Sequence, residues 1–432
     1  MTATGRCVKI QQAVIVDFED KEASGIYYGY IIVAVTFVIA VAVEGLLFSF
    51  GVFLKPLLTE FGWTRAMTSG AVSLNGGLRI PLSLVSGRLT DKLGARVMLT
   101  VCGLFLGVGY LLMSQVNAMW QLYLFYGVII AVGMSCYWVP LISIIPRWFY
   151  RQRSMMMGIV ACGIGVGQLT YPLLADWLIY SYNWRVSYLV TGGLSMVVII
   201  LCAQFIRPTP ALGRDDPSSP VRGDNGGCEE SPAAPEGFSA GRVISTGRFW
   251  LLCAVFLPWM YCVSATIVHI VIHAIGLGLS STGAAGIISI IGVAGIGARL
   301  VFGRLADMAG IKPVLIFSFA LFICAFTCLL VTPATWMLYL FGVMFGIAYA
   351  TFELLHSPTI ADVFGLDNLG SISGFVFAFG MLGFLTGPVV TGYIFDISGS
   401  YQQAFIVCAV LSCCSLIAVI LLPLGEKRVS MR

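Results

Sequence analysis

GRLTDKLGAR at 87–96 and GRLADMAGIK at 303–312 are two copies of one charged turn, set 216 residues apart. Each copy closes a long apolar stretch. Gly158, Leu169, Thr170 and Pro172 recur at the same offset as Gly374, Leu385, Thr386 and Pro388. One offset that holds for two separated stretches marks a duplicated fold unit.

The material around the turns belongs in lipid. Hydrophobic residues make up 59% of the chain and charged residues 10%, against roughly 25% charged in a soluble globule. The net charge of +4 comes from loop lysines and arginines and does not describe a nucleic-acid surface. Apolar runs predict twelve spans, at 27–54, 66–87, 97–114, 119–145, 155–176, 185–206, 249–273, 282–303, 313–331, 335–356, 370–393 and 403–423. Most are near the ~20 residues that cross ~30 Å of hydrocarbon. They are expected to be helices, because an isolated strand leaves its backbone unpaired in lipid. The expected fold class is an all-α membrane protein, with twelve transmembrane helices in two pseudo-symmetric six-helix bundles. Parallel six-span repeats of this kind are a plan used by membrane transporters.

Charge placement sets the orientation. Arg88, Lys92, Arg96, Arg147, Arg151, Arg153, Arg304 and Lys312 share one side with the bases of the tails and the centre of the chain, while Lys55, Arg65 and Arg185 lie on the other. Both termini are therefore expected in the cytoplasm of a multi-pass plasma-membrane protein. Residues 1–26 read as an N-terminal tail without a signal peptide, since Asp17, Glu19, Asp20 and Glu22 interrupt any apolar core. The bundles occupy 27–207 and 249–423. Between them, 208–248 is a flexible linker containing RDDPSSPVRGDNGGCEESPAAPEG, and 424–432 is a C-terminal tail. The 13 cysteines lie mostly inside spans and form no CxxC pair. They read as small apolar filler and not as a disulfide set or metal site. Many of the 49 glycines suit close helix packing in membranes.

The repeated turn resembles the loop motif of the major facilitator superfamily, in Gly87, Arg88, Asp91, Lys92, Gly94 and Arg96. The second copy keeps Gly303, Arg304, Asp307 and Gly310, with Lys312 for the last arginine. The motif implies a cytoplasmic latch. Asp91 would cap or pair with a neighbouring helix end, and the bases would hold anionic lipid or a facing carboxylate; plain positive-inside charge is the alternative for Arg96 and Lys312. Within that superfamily the chain resembles the monocarboxylate transporter family and the related oxalate/formate exchangers. FGVFLKPLLTEFGWTRA at 50–66, PRWFYRQRSMMMGI at 146–159, GARLVFGRLAD at 297–307 and LTGPVVTGYIFDISGSYQQAF at 385–405 carry the likeness.

Ionisable residues within spans are costly and are candidates for function. They are Glu44, Arg79, His269, His273, Arg299, Glu353 and His356. The resemblance implies that Arg299 binds a substrate carboxylate, for which the planar guanidinium fork is suited; snorkelling to the nearby surface is the alternative. Arg79, about 12 Å from the turn by helix rise, aligns through the repeat with Gly295. The family often has an aspartate at the place of Gly295 and a lysine at that of Phe48, and this chain has neither. Glu44 is expected at the depth of Arg79, as its ion-pair partner or as the carrier of a coupling proton, a role equally open to Glu353. Glu353 and His356 share a helix face and form either a proton relay or a local pair. Tyr137, Trp138 and Tyr349 are candidate cavity walls, and Gln168 a candidate hydrogen-bonding group. His269 and His273 have a spacing that admits a metal, but a third ligand is lacking; a pH-sensitive outer gate or interfacial placement suits them better.

These readings converge on a secondary transporter of small organic monocarboxylates, working by alternating access with a proton. An organic-anion or dicarboxylate exchanger is the runner-up, and a transporter-like sensor the alternative of a different class. The expected partners are the organic anion, protons and membrane lipids, with no cofactor and no nucleic acid. An enzyme is disfavoured because no nucleophile–base pair, metal cluster or phosphate loop appears.

Overall fold

The computed structural model describes residues 28–149, 153–207, 246–331, 335–364 and 369–424. The tails and most of the linker lie outside this set, as do the side chains of Asp91, Arg147, Arg153 and Asp307. Among the described residues twelve helical segments follow one another. In the first half they are α1 Tyr28–Phe61, α2 Arg65–Leu93, α3 Ala95–Met113, the interrupted α4 from Met119 to Trp148, α5 Arg153–Ser181 and α6 Trp184–Gln204. In the second half they are α7 Gly247–Gly276, α8 Ser281–Ala309, α9 Ile311–Val331, α10 Thr335–Phe364, α11 Leu369–Ser398 and α12 Gln402–Leu421.

Ten of the described helices are long and apolar enough to cross a membrane, and Met119–Ser135 is a shorter apolar one. The two that fall short of the sequence expectation do so for different reasons. α2 carries Arg65, Arg79, Arg88, Asp91 and Lys92 along its length. α4 is not the continuous span expected at 119–145. It runs from Met119–Leu122 through a π-helical stretch, Tyr123–Ile129, into Ile130–Ser135, and restarts as Trp138–Trp148 after a break at Cys136 and Tyr137. π-Helical turns inside a helix redirect the side chains that follow them.

The repeated turn has one geometry in both halves. Gly94 ends α2 at φ 82° and Gly310 ends α8 at φ 89°, a backbone region that glycine enters without steric cost. The next residue in each case starts a new helix. Arg96 then donates through Nη2 to Gln204 Oε1 of α6 at 2.6 Å. Lys312, its counterpart in the repeat, donates to the Leu422 carbonyl at the end of α12 at 2.9 Å. Both bases therefore brace their own half. Among the described residues, neither makes a hydrogen bond to the other half.

Inside the halves, α1 packs on α5 and α3 on α6, while α7 packs on α11 and α8 on α10. The halves meet along α2–α11, α5–α8 and the outer part of α1 against α7. Where α5 crosses α8 the backbones touch: a Cβ at Gly165 would lie 2.8 Å from the Gly292 carbonyl, and one at Gly292 2.5 Å from the Gly165 carbonyl.

On the face opposite the repeated turns, two carboxylates close the seam. Asp396 of α11 accepts from the backbone N–H groups of Arg65 and Ala66, at 3.1 and 2.8 Å, where α2 begins. Asp176 of α5 accepts from the Ser281 hydroxyl and, at 2.7 Å, from Thr282 Oγ1, where α8 begins. Residues 65 and 66 are the repeat counterparts of 281 and 282, so the two closures are built alike, each placing a carboxylate at a helix N-terminus. Arg65 adds a bond from Nη1 to Tyr401 OH at 2.5 Å and lies over the Phe395 ring, 3.4 Å from its centroid. Nearer the turn face, a Cβ built at Gly158 of α5 or Gly374 of α11 would meet nothing within 4 Å.

Candidate functional site

Between the halves lies a cavity of about 700 Å³, counting its open mouth. Helical stripes build its wall. Glu44, Leu47 and Phe48 come from α1, and Arg79 from α2. Tyr349, Glu353 and His356 come from α10 at spacings of four and three. Phe256, Trp259, Met260 and Val263 line it from α7, and Phe377, Met381 and Phe384 from α11. Trp138 stands at the restart of α4, so the break in that helix is what turns it to the cavity.

The ionisable groups cluster. Arg299 Nη2 forms a hydrogen-bonded ion pair with Glu353 Oε2, and Tyr349 donates to Glu353 Oε1 at 3.2 Å. Arg299 is 5% exposed, which removes the snorkelling alternative, and it stands behind Glu353 and not on the cavity wall itself. Its Nη1 is buried without a hydrogen-bond partner. That nitrogen is the one a Cβ at Gly295 would approach, at 3.2 Å. Position 295 is where the resemblance implies an aspartate; here the carboxylate has moved to α10 and one nitrogen is left over.

Arg79 lies on the cavity wall, 5.9 Å from the Phe384 ring centroid. Glu44 is within electrostatic reach of Arg79, Arg299 and Glu353. The direct Glu44–Arg79 ion pair expected from their depths is not among the ion pairs of the described residues. Both groups line the cavity, Glu44 from α1 and Arg79 from α2. His356 Nδ1 meets the Glu353 main-chain carbonyl at 2.5 Å, and the ring packs edge-on to Phe256, so its hydrogen bond goes to the backbone of α10.

Two expected contacts lie elsewhere. Tyr137 is buried at the break of α4 with its hydroxyl unpartnered, one residue away from the wall that Trp138 occupies. Gln168 is fully buried at the α5–α8 crossing with neither amide atom bonded. His269 is fully buried, contrary to interfacial placement. Its Nε2 donates to the Pro388 carbonyl at 2.9 Å and its Nδ1 contacts Tyr401 OH at 3.0 Å. A carbonyl only accepts, so Nε2 bears the proton, and the imidazole completes the chain Arg65–Tyr401–His269–Pro388.

The walls from α7 and α11 were not singled out by sequence, although their signal was present: 256, 259, 260, 263 and 377, 381, 384 are stripes at helical spacing. Apolar stripes occur on every helix of a membrane bundle, and only the packing reveals which one meets a cavity.

Two helical bundles around a central cavity, with compensated charges inside the membrane, define a polytopic membrane transporter. The chain belongs to the Major Facilitator Superfamily, whose profile matches residues 31–352 and 297–430. It is therefore an integral, multi-pass transport protein and not an enzyme. It is 25% identical over 403 residues to Monocarboxylate transporter 12 of Rattus norvegicus, covering 88% of this chain and 82% of the relative. It is 27% identical over 362 residues to Monocarboxylate transporter 4 of the same organism, covering 82% and 74%. Among solved structures, a bacterial homolog to the human lysosomal transporter Spinster, inward-facing and unoccupied, has a TM-score of 0.66 at 16% identity, covering 93% of this chain and 95% of that one. The nucleoside transporter NupG has a TM-score of 0.68 at 15% identity, covering 91% and 99%. These two likenesses establish the fold.

Proposed function

We propose that this protein carries an organic monocarboxylate across the plasma membrane together with a proton, by alternating access of the central cavity to the two sides. The similarity to monocarboxylate transporters supports the substrate class. The observation that carries the mechanism is the charge balance of the site: Arg79 and Arg299 against Glu44 and Glu353. Two guanidinium groups and two carboxylates sum to zero. A bound monocarboxylate leaves one negative charge in a low-dielectric site, which is costly. A proton entering with it restores neutrality.

In this reading Arg79 receives the anion on the cavity wall. A proton on Glu353 releases Arg299, whose Nη1 is already unpartnered, to take the second carboxylate oxygen in its planar fork. Glu44 is the other candidate carrier of the proton. Trp138, Tyr349 and His356 shape the cavity, while Tyr137 and Gln168 hold positions behind it that rocking of the halves would change. The turn face is cytoplasmic, with the 1–26 and 424–432 tails and the 208–248 linker joining the bundles 27–207 and 249–423 on that side. On this assignment Gly87, Arg88, Asp91, Lys92, Gly94 and Arg96, with Gly303, Arg304 and Asp307, act at the cytoplasmic ends of α2 and α8.

Uptake into vesicles with and without an inward proton gradient tests the proposal. Acid on the substrate side is expected to accelerate uptake without net current. Uptake that survives both Arg299→Lys and Arg299→Ala intact overturns the anchoring role. The exchanger reading draws on Arg79, which has no ion-pair partner among the described groups and so offers a second cation; acceleration by substrate on the far side, with no response to the proton gradient, would favour it.

A further inference from the structure

Resting on the transport reading above, we infer that the substrate carries a bulky aromatic body on its carboxylate, and that lactate-sized acids are the poorer substrates. Seven of the sixteen wall residues are Phe, Trp or Tyr, whereas these types make up 12% of the chain. The enrichment is local to the cavity, and it is ordered. Trp259 and Tyr349 are stacked with ring planes 10° apart and centroids at 5.8 Å. Phe48 meets Tyr349 edge-on at 6.1 Å. Aromatic groups prefer these offset and edge-on geometries, and a planar ring entering such a set gains contacts that an alkyl chain of equal area does not.

The distribution of charge gives the ligand a direction. Cation and carboxylates sit on α1, α2 and α10, while the faces of α7 and α11 are wholly apolar from Phe256 to Val263 and from Phe377 to Phe384. A carboxylate at Arg79 thus places its substituent beside Phe384, over which the guanidinium already lies, and along the α7–α11 wall. Met260 and Met381 border that wall and adapt to irregular shapes. Trp259 contributes an indole N–H that is buried without a partner, a donor for a heteroatom on the aromatic body.

The test measures uptake of labelled acetate, lactate, phenylacetate and indole-3-acetate into proteoliposomes under one proton gradient, with intrinsic tryptophan fluorescence as a binding readout. Phenylacetate and indole-3-acetate are expected to enter with KM about tenfold below that of lactate, to compete with each other and to quench the fluorescence. Trp138→Ala is expected to lower the aromatic-to-lactate preference about fivefold, and Trp138→Phe to restore most of it, which separates loss of contact from misfolding. If lactate or acetate is taken up while the aromatic acids neither enter nor compete, the inference fails and the transport reading stands. If all four acids enter with equal KM and Trp138→Ala leaves the ratio unchanged, the inference likewise fails. If none enters and none quenches, both fall.

Discussion

Arg79 and Arg299 sit on helices that the repeat makes equivalent, yet the two halves use their arginine in opposite ways. Arg299 is enclosed, ion-paired to Glu353 and steadied by Tyr349 through the same carboxylate. Arg79 stands on the cavity wall with an aromatic face beside it and no ion-pair partner among the described residues. On the proposed reading, the neutralised guanidinium is held for a regulated exchange and the other is ready for an anion, so two equivalent frameworks would serve a reserve cation and a receiving one.

Arg299→Ala breaks this contrast most severely. It leaves the Glu353 carboxylate unpaired in the bundle, a loss of about 3–5 kcal/mol. Uptake should fall by about a hundredfold or more and detergent-solubilised protein should melt at clearly lower temperature; a variant that melts normally and transports would remove the pair from both stability and function. Arg79→Ala should separate the two effects. With no hydrogen-bonded ion pair broken, its destabilisation is expected to be smaller than that of Arg299→Ala, while KM for the anion rises about tenfold or more. Equal destabilisation by both substitutions would erase the distinction between the arginines.

Glu353→Gln sharpens the comparison from the carboxylate side. It keeps the shape and removes the charge, so uptake should lose most of its dependence on the proton gradient. Glu44→Gln is the parallel measurement: an unchanged pH dependence removes Glu44 from coupling and leaves Glu353. The smallest effects are expected at the far-face seam. Asp396→Asn weakens a cap of about 1 kcal/mol. In that background Ser69→Cys, beside the α2–α11 contact, should react about fivefold faster with a membrane-impermeant thiol reagent applied to that face than Ser69→Cys alone does. Unchanged labelling, with native-Ser69 protein as the blank for the chain's own cysteines, would show that other contacts hold the seam.

How much of this was legible in the chain follows from what is local and what is not. The repeat, the apolar spans and the depths of Arg79, Arg299 and Glu44 are properties of one helix at a time, and rise per residue converts them to positions. Partners are not. Arg299 and Glu353 are 54 residues apart, and only the rotation of α10 against α8 brings them together, in place of the aspartate that Gly295 displaces. The same limit explains the unformed Glu44–Arg79 pair, for which depth agreed but direction did not. The interruption at Cys136 and Tyr137 lies inside an unbroken apolar run, so hydropathy passes over it, and with it the reason that Trp138 and not Tyr137 reaches the cavity. Asp176 and Asp396 went unremarked because acids near span ends resemble loop residues; mapping 281 onto 65 by the repeat offset would have shown two equivalent helix starts awaiting a carboxylate.

The two aspartate caps have a consequence for tempo. Asp396 is exposed, so in the proposed cycle the N–H groups it releases meet solvent at once, whereas Asp176 is 2% exposed and holds its hydroxyl partners away from water. The barrier is thereby divided between a wet contact and a dry one. In the proposed cycle, those caps govern how often the carrier turns over, and the arginine pair governs what it accepts. Speed and selectivity are thereby inherited on separate residues, and natural variation can retune the first while leaving the second intact.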